Sequence, residues 1–166
     1  IELDAVTYAS VVEEVAAGDG SCSTILSVHS SVGCGPIVKY GTEEQKQKYL
    51  PKLASGEWIG CYGLTEEGAG SDVGSIATTA RREGDGWVID GSKVWITNGG
   101  VADLSLVFAR TGPESGRKGL TAFVVELPSD GFSAEQMDIE PLGHRASDHA
   151  RLVLDGLVVP DEQRLG

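Results

Sequence analysis

The stretch YGLTEEGAGSDVGS, Tyr62 to Ser75, holds four glycines, two neighbouring acids and the hydroxyls of Thr65, Ser71 and Ser75. It closes an apolar run, Ile59 to Leu64, that reads as a strand. Glycine at 68 and 70 lets the backbone approach a flat or phosphorylated ligand closely. Exposed N–H groups and the Thr65 and Ser71 hydroxyls could then hydrogen-bond to it. The same composition also suits a surface loop between strands. The stretch is no Walker loop, because it lacks GK[ST], and no GxGxxG at a strand-to-helix turn. Composition alone does not name a ligand.

Upstream of Trp58 the pattern is helical. Leu3, Val6, Val11, Val12 and Val15 recur at helical spacing up to Gly18-Asp19-Gly20. A second helix from about Ser21 carries Ile25, Leu26, Val28 and Val32, and is expected to end around Gly33-Cys34-Gly35-Pro36. Its small, uncharged residues suggest burial on several sides. A third begins at Thr42, where Thr42 and Gln45 have capping-box spacing. Pro51, with no N–H to donate, should disturb it, and Ser55-Gly56 should end it.

Downstream the pattern is β. Thr78 to Glu83 and Trp87 to Asp90 flank Gly84-Asp85-Gly86, a hairpin signal. Val94 to Thr97, Leu104 to Arg110, Leu120 to Glu126 and Leu152 to Val159 are further strands. Short strands at this spacing predict a sandwich or barrel. The expected fold class is α+β: a partial helical bundle, then an antiparallel β-barrel or sandwich.

Composition narrows the function classes. The net charge of −12 argues against nucleic acid and anionic membranes as main partners. Hydrophobic residues at 40% allow a sizeable core. Cys22, Cys34 and Cys61 are odd in number and lack CxxC spacing, which reads as reduced thiols without a zinc site. No apolar run reaches membrane-spanning length. The chain opens at Ile1 rather than Met, which reads as a fragment.

Four segments carry a family resemblance. YGLTEEGAGSDVGSIATTA resembles the TEPxAGSD loop of acyl-CoA dehydrogenases, and GSKVWITNGGVAD looks like their second signature. GTEEQKQKYLPKLASGE is similar to the helix leading into their β domain. PLGHRASDHARLVLDGLVVP is similar to the segment that closes it. The four are collinear and span nearly the whole chain. Glu67 departs from the usual proline, leaving an acid near the cofactor. His149 departs from the common threonine.

The resemblance implies residues 1–57 as the end of an N-terminal helical domain and 58–166 as a flavin-cradling middle β domain, with FAD as cofactor. Tyr62, Leu64 and Thr65 would line the flavin, Thr65 at its pyrimidine end. Gly70 and Ser71 would meet the ribityl–pyrophosphate side or the CoA portion of substrate. Trp95 would pack on the ring system, and Thr97 would hydrogen-bond near N5. Residue types alone favour a core aromatic at 95 and an ordinary strand hydroxyl at 97. His29 and Leu26 border the acyl pocket in the family, although His29 also reads as a satisfied, half-buried histidine. His144 and Arg145 read as turn organisers. Glu66 and Asp72 are tempting acid/base residues, but their family counterparts are structural.

By the same resemblance the reaction is α,β-desaturation of an acyl-CoA thioester. Its catalytic glutamate belongs to a C-terminal helical bundle that should begin where the chain stops, at Arg164-Leu165-Gly166. No catalytic residue is therefore expected here. Electron-transfer flavoprotein as acceptor, a homotetramer, and a bacterial cytoplasm or mitochondrial matrix are further implications. A non-catalytic flavin- or acyl-CoA-binding or assembly module remains an alternative, as do acyl-CoA oxidase and flavin monooxygenase relatives.

Overall fold

The computed structural model describes residues 4–113 and 116–166. Leu3, counted above in the first helical stripe, lies outside the described residues. Helix α1 (Ala5–Gly18) starts where the Asp4 carboxylate accepts the amides of Val6 and Thr7, both at 3.0 Å. These amides have no partner inside the helix, so the cap stabilises it by about 1 kcal/mol. No residue of α1 is buried, and Val6 is 75% exposed. Of its apolar stripe, Val12 and Val15 are partly covered, while Val6 and Val11 are exposed.

Asp19 caps α2 (Gly20–Val28) through the Cys22 amide. The helix was expected to stop at Gly33–Pro36. Instead it runs through a π-helical turn, His29–Cys34, into α3 (Gly35–Tyr40). Pro36 stands in the first turn of α3, directly after the π-helical turn. Gly33 faces Gly60, and a Cβ on Gly60 would lie 3.4 Å from the Gly33 Cα, so the absent side chains let helix and strand approach. Helix α4 (Glu43–Ser55) has both halves of the Thr42–Gln45 capping box. It continues past Pro51 and closes on Gly56 at φ +75°.

Seven strands form one sheet: β1 (Gly60–Gly63), β2 (Thr79–Glu83), β3 (Gly86–Thr97), β4 (Leu104–Arg110), β5 (Leu120–Glu126), β6 (Phe132–Gln136) and β7 (His149–Pro160). The order is β1-β4-β2-β3-β7-β6, with β5 on β4. The α+β class holds, but the sheet is mixed rather than wholly antiparallel. β1 runs parallel to β4, Gly60 opposite Leu104, and β2 meets β4 in parallel at Thr79 and Arg110. The chain returns to β4 only after the loop and the β2–β3 hairpin, the kind of crossover that a parallel pair requires.

β3 merges two expected strands. It kinks at Gly91, φ +152°, where a Cβ would lie 2.8 Å from the Thr78 Cα. β6 was not foreseen, because in FSAEQ only Phe132 is even partly buried. The sheet is apolar on both faces. Ile37, Tyr49 and Leu53 of the helices pack on Leu104, Leu106 and Val124. Val107, Ala109, Phe123 and Val125 alternate to the other side, against Ile89, Leu154 and Leu157. Leu53 is 1% exposed, so truncating it to alanine would cost about 2–5 kcal/mol.

Candidate functional site

The loop after β1 is built around Glu66. Its amide and carbonyl exchange hydrogen bonds with Ala69, at 3.0 and 3.1 Å. Its carboxylate accepts three donors: the amides of Ala77 (2.7 Å) and Thr78 (3.0 Å) and the Lys93 ammonium (2.7 Å). The Lys93 side chain is completely buried, and its Nζ also donates to the Leu64 carbonyl. Burial alone would raise the Glu66 carboxyl; Lys93 and the two amides outweigh it and hold it below its usual value. Burial pulls the Lys93 ammonium down, and Glu66 opposes that. Each side chain of the pair favours the charged form of the other.

One residue further on, the Val94 amide donates to the Thr65 carbonyl at 2.9 Å. The opening loop and the WIT segment, some 30 positions apart, are thus locked side by side. The β3–β7 register slips between Lys93 and Ile96, and in that bulge Trp95 takes φ +62°. A left-handed backbone is costly for a bulky residue. Its effect is to turn the indole outward: Trp95 is 55% exposed. The core-aromatic reading of Trp95 is therefore corrected. Its amide donates to the Met137 sulfur. Thr97 pairs with His149 across to β7. The turn after it is fixed by Asp148, whose carboxylate accepts the Gly100 amide and whose carbonyl accepts that of Asn98.

The hydroxyls of Thr65, Ser71 and Thr97 have no hydrogen-bond partner among the described residues, and all three residues keep solvent access. A Cβ on Gly68 or Gly70 would meet nothing within 4 Å, and neither glycine has positive φ. Nothing among the described residues calls for glycine at these positions, as a cradle open to an outside group would have it. Tyr62 and Leu64 line an open groove of about 410 Å³ with Val73, Phe108, Arg117 and Leu120. The Tyr62 and Phe108 rings meet at 5.0 Å. This set of a large exposed indole, a partly apolar groove and unengaged hydroxyls suits a flat heteroaromatic group with polar edges.

The acids of the loop are occupied. Glu67 pairs with Arg151 of β7, and Asp72 caps its own turn through Gly74 and Ser75. All three acids of the loop are thus held in hydrogen bonds or ion pairs within the chain. His29 is a joint between elements: Nε2–H donates to the Leu53 carbonyl at 2.8 Å, and Nδ1 accepts the Gly60 amide at 3.0 Å. Both ring nitrogens are used, which is the satisfied-histidine reading. His144 bonds Thr24 and the Gly20 carbonyl, tying the closing segment to α2. The His149 ring bonds the Ser147 carbonyl. Cys22, Cys34 and Cys61 are unpaired thiols, and burial pushes Cys61 up to about 11.

Sequence reasoning missed Lys93, Phe108, Arg110 and Arg151. Arg110 reaches the carbonyls of Gly74 and Ile76, bracing the far end of the loop. No local signal marked Lys93, because the acid that pairs with it lies 27 positions away.

The comparisons agree on one family. Residues 61–157 match the family model of the acyl-CoA dehydrogenase middle domain, and residues 1–57 that of the acyl-CoA dehydrogenase N-terminal domain. The chain belongs to the acyl-CoA dehydrogenase family. It is 48% identical to the short-chain specific acyl-CoA dehydrogenase of Clostridium acetobutylicum, over 98% of this chain and 43% of that protein. It superposes on glutaryl-CoA dehydrogenase from Mycobacterium smegmatis in complex with FADH2 at TM-score 0.89, 40% identical, covering 98% of this chain and 40% of that one. A chain in the structure of the electron transferring flavoprotein of Acidaminococcus fermentans matches at TM-score 0.94 and 40% identity, over 100% and 43% of the two chains. The chain thus spans less than half the length of these relatives.

Proposed function

We propose that residues 1–166 are the flavin-cradling part of an FAD-dependent acyl-CoA dehydrogenase, with the domain boundary at 57/58. The observation that supports this is the Val94–Thr65 hydrogen bond, which joins the segment carrying the exposed Trp95 to the loop carrying the unengaged Thr65 and Ser71 hydroxyls. FAD, when bound, supplies the acceptor for the hydride removed from the acyl chain. Trp95 offers it a rigid face. The Thr97 hydroxyl would donate near N5, where negative charge develops. Thr65 would serve the pyrimidine end, Tyr62 and Leu64 would line the ring, and Gly70 and Ser71 would meet the ribityl–pyrophosphate side or the CoA portion.

The α-proton of a thioester is weakly acidic, so hydride loss needs a positioned base. The loop acids Glu66, Glu67 and Asp72 are held in contacts within the chain, and the proposed base is the glutamate of the C-terminal helical bundle that the family resemblance implies. The engaged acids also favour a second reading, in which residues 1–166 alone bind without turning over. Electron-transfer flavoprotein is the proposed acceptor and a homo-oligomer the proposed assembly, in a bacterial cytoplasm or a mitochondrial matrix. The test is an artificial-acceptor assay with short, long and branched acyl-CoAs. The longer protein carrying this sequence is expected to turn over and residues 1–166 are not. No turnover by the former, or turnover by the latter, would contradict the reading.

A further inference from the structure

Lys93 and Glu66 hold together the two segments to which the proposed function gives the flavin, yet neither lines the cradle surface. Lys93 lies two residues before Trp95 on β3, and Glu66 directly follows Thr65. One Lys93 ammonium bonds the Glu66 carboxylate and the Leu64 carbonyl, so it grips the loop on both sides of Thr65. The other bonds of Glu66, to Ala77 and Thr78, anchor that grip where the loop rejoins the sheet. Between the two residues, Val94 bonds Thr65.

We infer that Lys93 and Glu66 are positioning residues for FAD: their buried contact sets the distance between the Thr65 hydroxyl and the Trp95–Thr97 segment, and so whether one flat ring can engage both. The geometry supports a role beyond stability. A buried ion pair is often no more stabilising than apolar residues of the same volume. What such a pair does supply is direction, because a fully buried ammonium within reach of two acceptors on one loop has few alternative positions. The neighbouring pair makes the contrast. Glu67 and Arg151 join the same loop to β7, but their side chains are 70% and 41% exposed, and a solvated pair specifies position weakly.

The inference rests on the flavin reading, and its test separates the two. FAD affinity of the longer protein carrying this sequence is measured by flavin fluorescence for the unaltered chain, Glu66→Gln, Glu67→Gln and Gln45→Ala. Gln45 ties α4 to the carbonyls of Glu162 and Arg164, away from the cradle, and serves as a stability control. Glu66→Gln should weaken FAD binding at least tenfold and alter the visible flavin band. Gln45→Ala should lower Tm while leaving affinity within twofold, as should Glu67→Gln with little change in Tm. If Glu66→Gln does not fold, the double variant Glu66→Gln/Lys93→Met, which removes both charges together, takes its place with the same expectation. Affinity and spectrum unchanged in a folded variant would overturn the positioning role. An unaltered protein that takes up no FAD would overturn the flavin reading itself.

Discussion

The amide of Val94 and the carbonyl of Thr65 meet at 2.9 Å, joining the strand before Trp95 to the loop after Leu64. That bond holds the two sequence segments side by side. The loop brings the Thr65 and Ser71 hydroxyls, the strand an outward indole and the Thr97 hydroxyl, and both are backed by the buried Glu66–Lys93 pair.

Thr97→Ala tests the strand half of the surface. The Thr97 hydroxyl has no partner among the described residues, so its loss should change stability by less than about 1 kcal/mol. Flavin reduction by substrate should slow about tenfold, the worth of one hydrogen bond to developing charge. Stopped-flow absorbance of the longer protein measures it, and an unchanged rate would make Thr97 an ordinary strand residue.

His29→Phe tests the joint between the π turn, α4 and β1. It leaves the Gly60 amide without its partner, at about 1–3 kcal/mol, and takes one of two donors from the Leu53 carbonyl, which keeps the Gly56 amide. The urea midpoint should fall accordingly. The KM for acyl-CoA should stay near its original value if His29 acts only through the fold; a large change in KM at unchanged stability would return it to the acyl pocket.

Acid should destabilise the fold through its bonded carboxylates. The Trp87 indole bonds Asp161 at 2.7 Å and, with the charge of Arg82, holds it below its usual value. Glu66 is lowered as well, its bonds to Lys93 and the two amides outweighing its burial. Groups lowered in the folded state add stability that is present above their unfolded values, about 4, and is lost as pH falls through the folded values. Urea midpoints should be level near neutrality and fall below about pH 4. Asp161→Asn should flatten that fall; an identical acid limb in the variant would remove Asp161 from the account.

Much of this was legible in the sequence. Thr42 and Gln45 announce their helix because a capping box is local, and Gly84-Asp85-Gly86 announces its hairpin for the same reason. Features set by distant partners were not. The parallel pairing of β1 with β4 joins residues more than 40 apart, which no short-range periodicity encodes. The outward face of Trp95 depends on one left-handed backbone angle in a bulge, while its residue type suggests the core. The second helix runs past Gly33 because Gly60 lies against it, and that neighbour cannot be read from the helix alone. Lys93 reads as a surface cation until its acid is found 27 positions away.

The central claim is that this surface holds FAD, and titration of FAD into the longer, flavin-stripped protein carrying this sequence tests it most directly. The account predicts saturable uptake of one FAD per chain, a shifted flavin absorbance band and quenched flavin fluorescence, with uptake weakened when Trp95 is replaced by alanine. A folded protein that takes up no FAD, or one whose uptake is indifferent to Trp95, Thr65 and Thr97 alike, would contradict it.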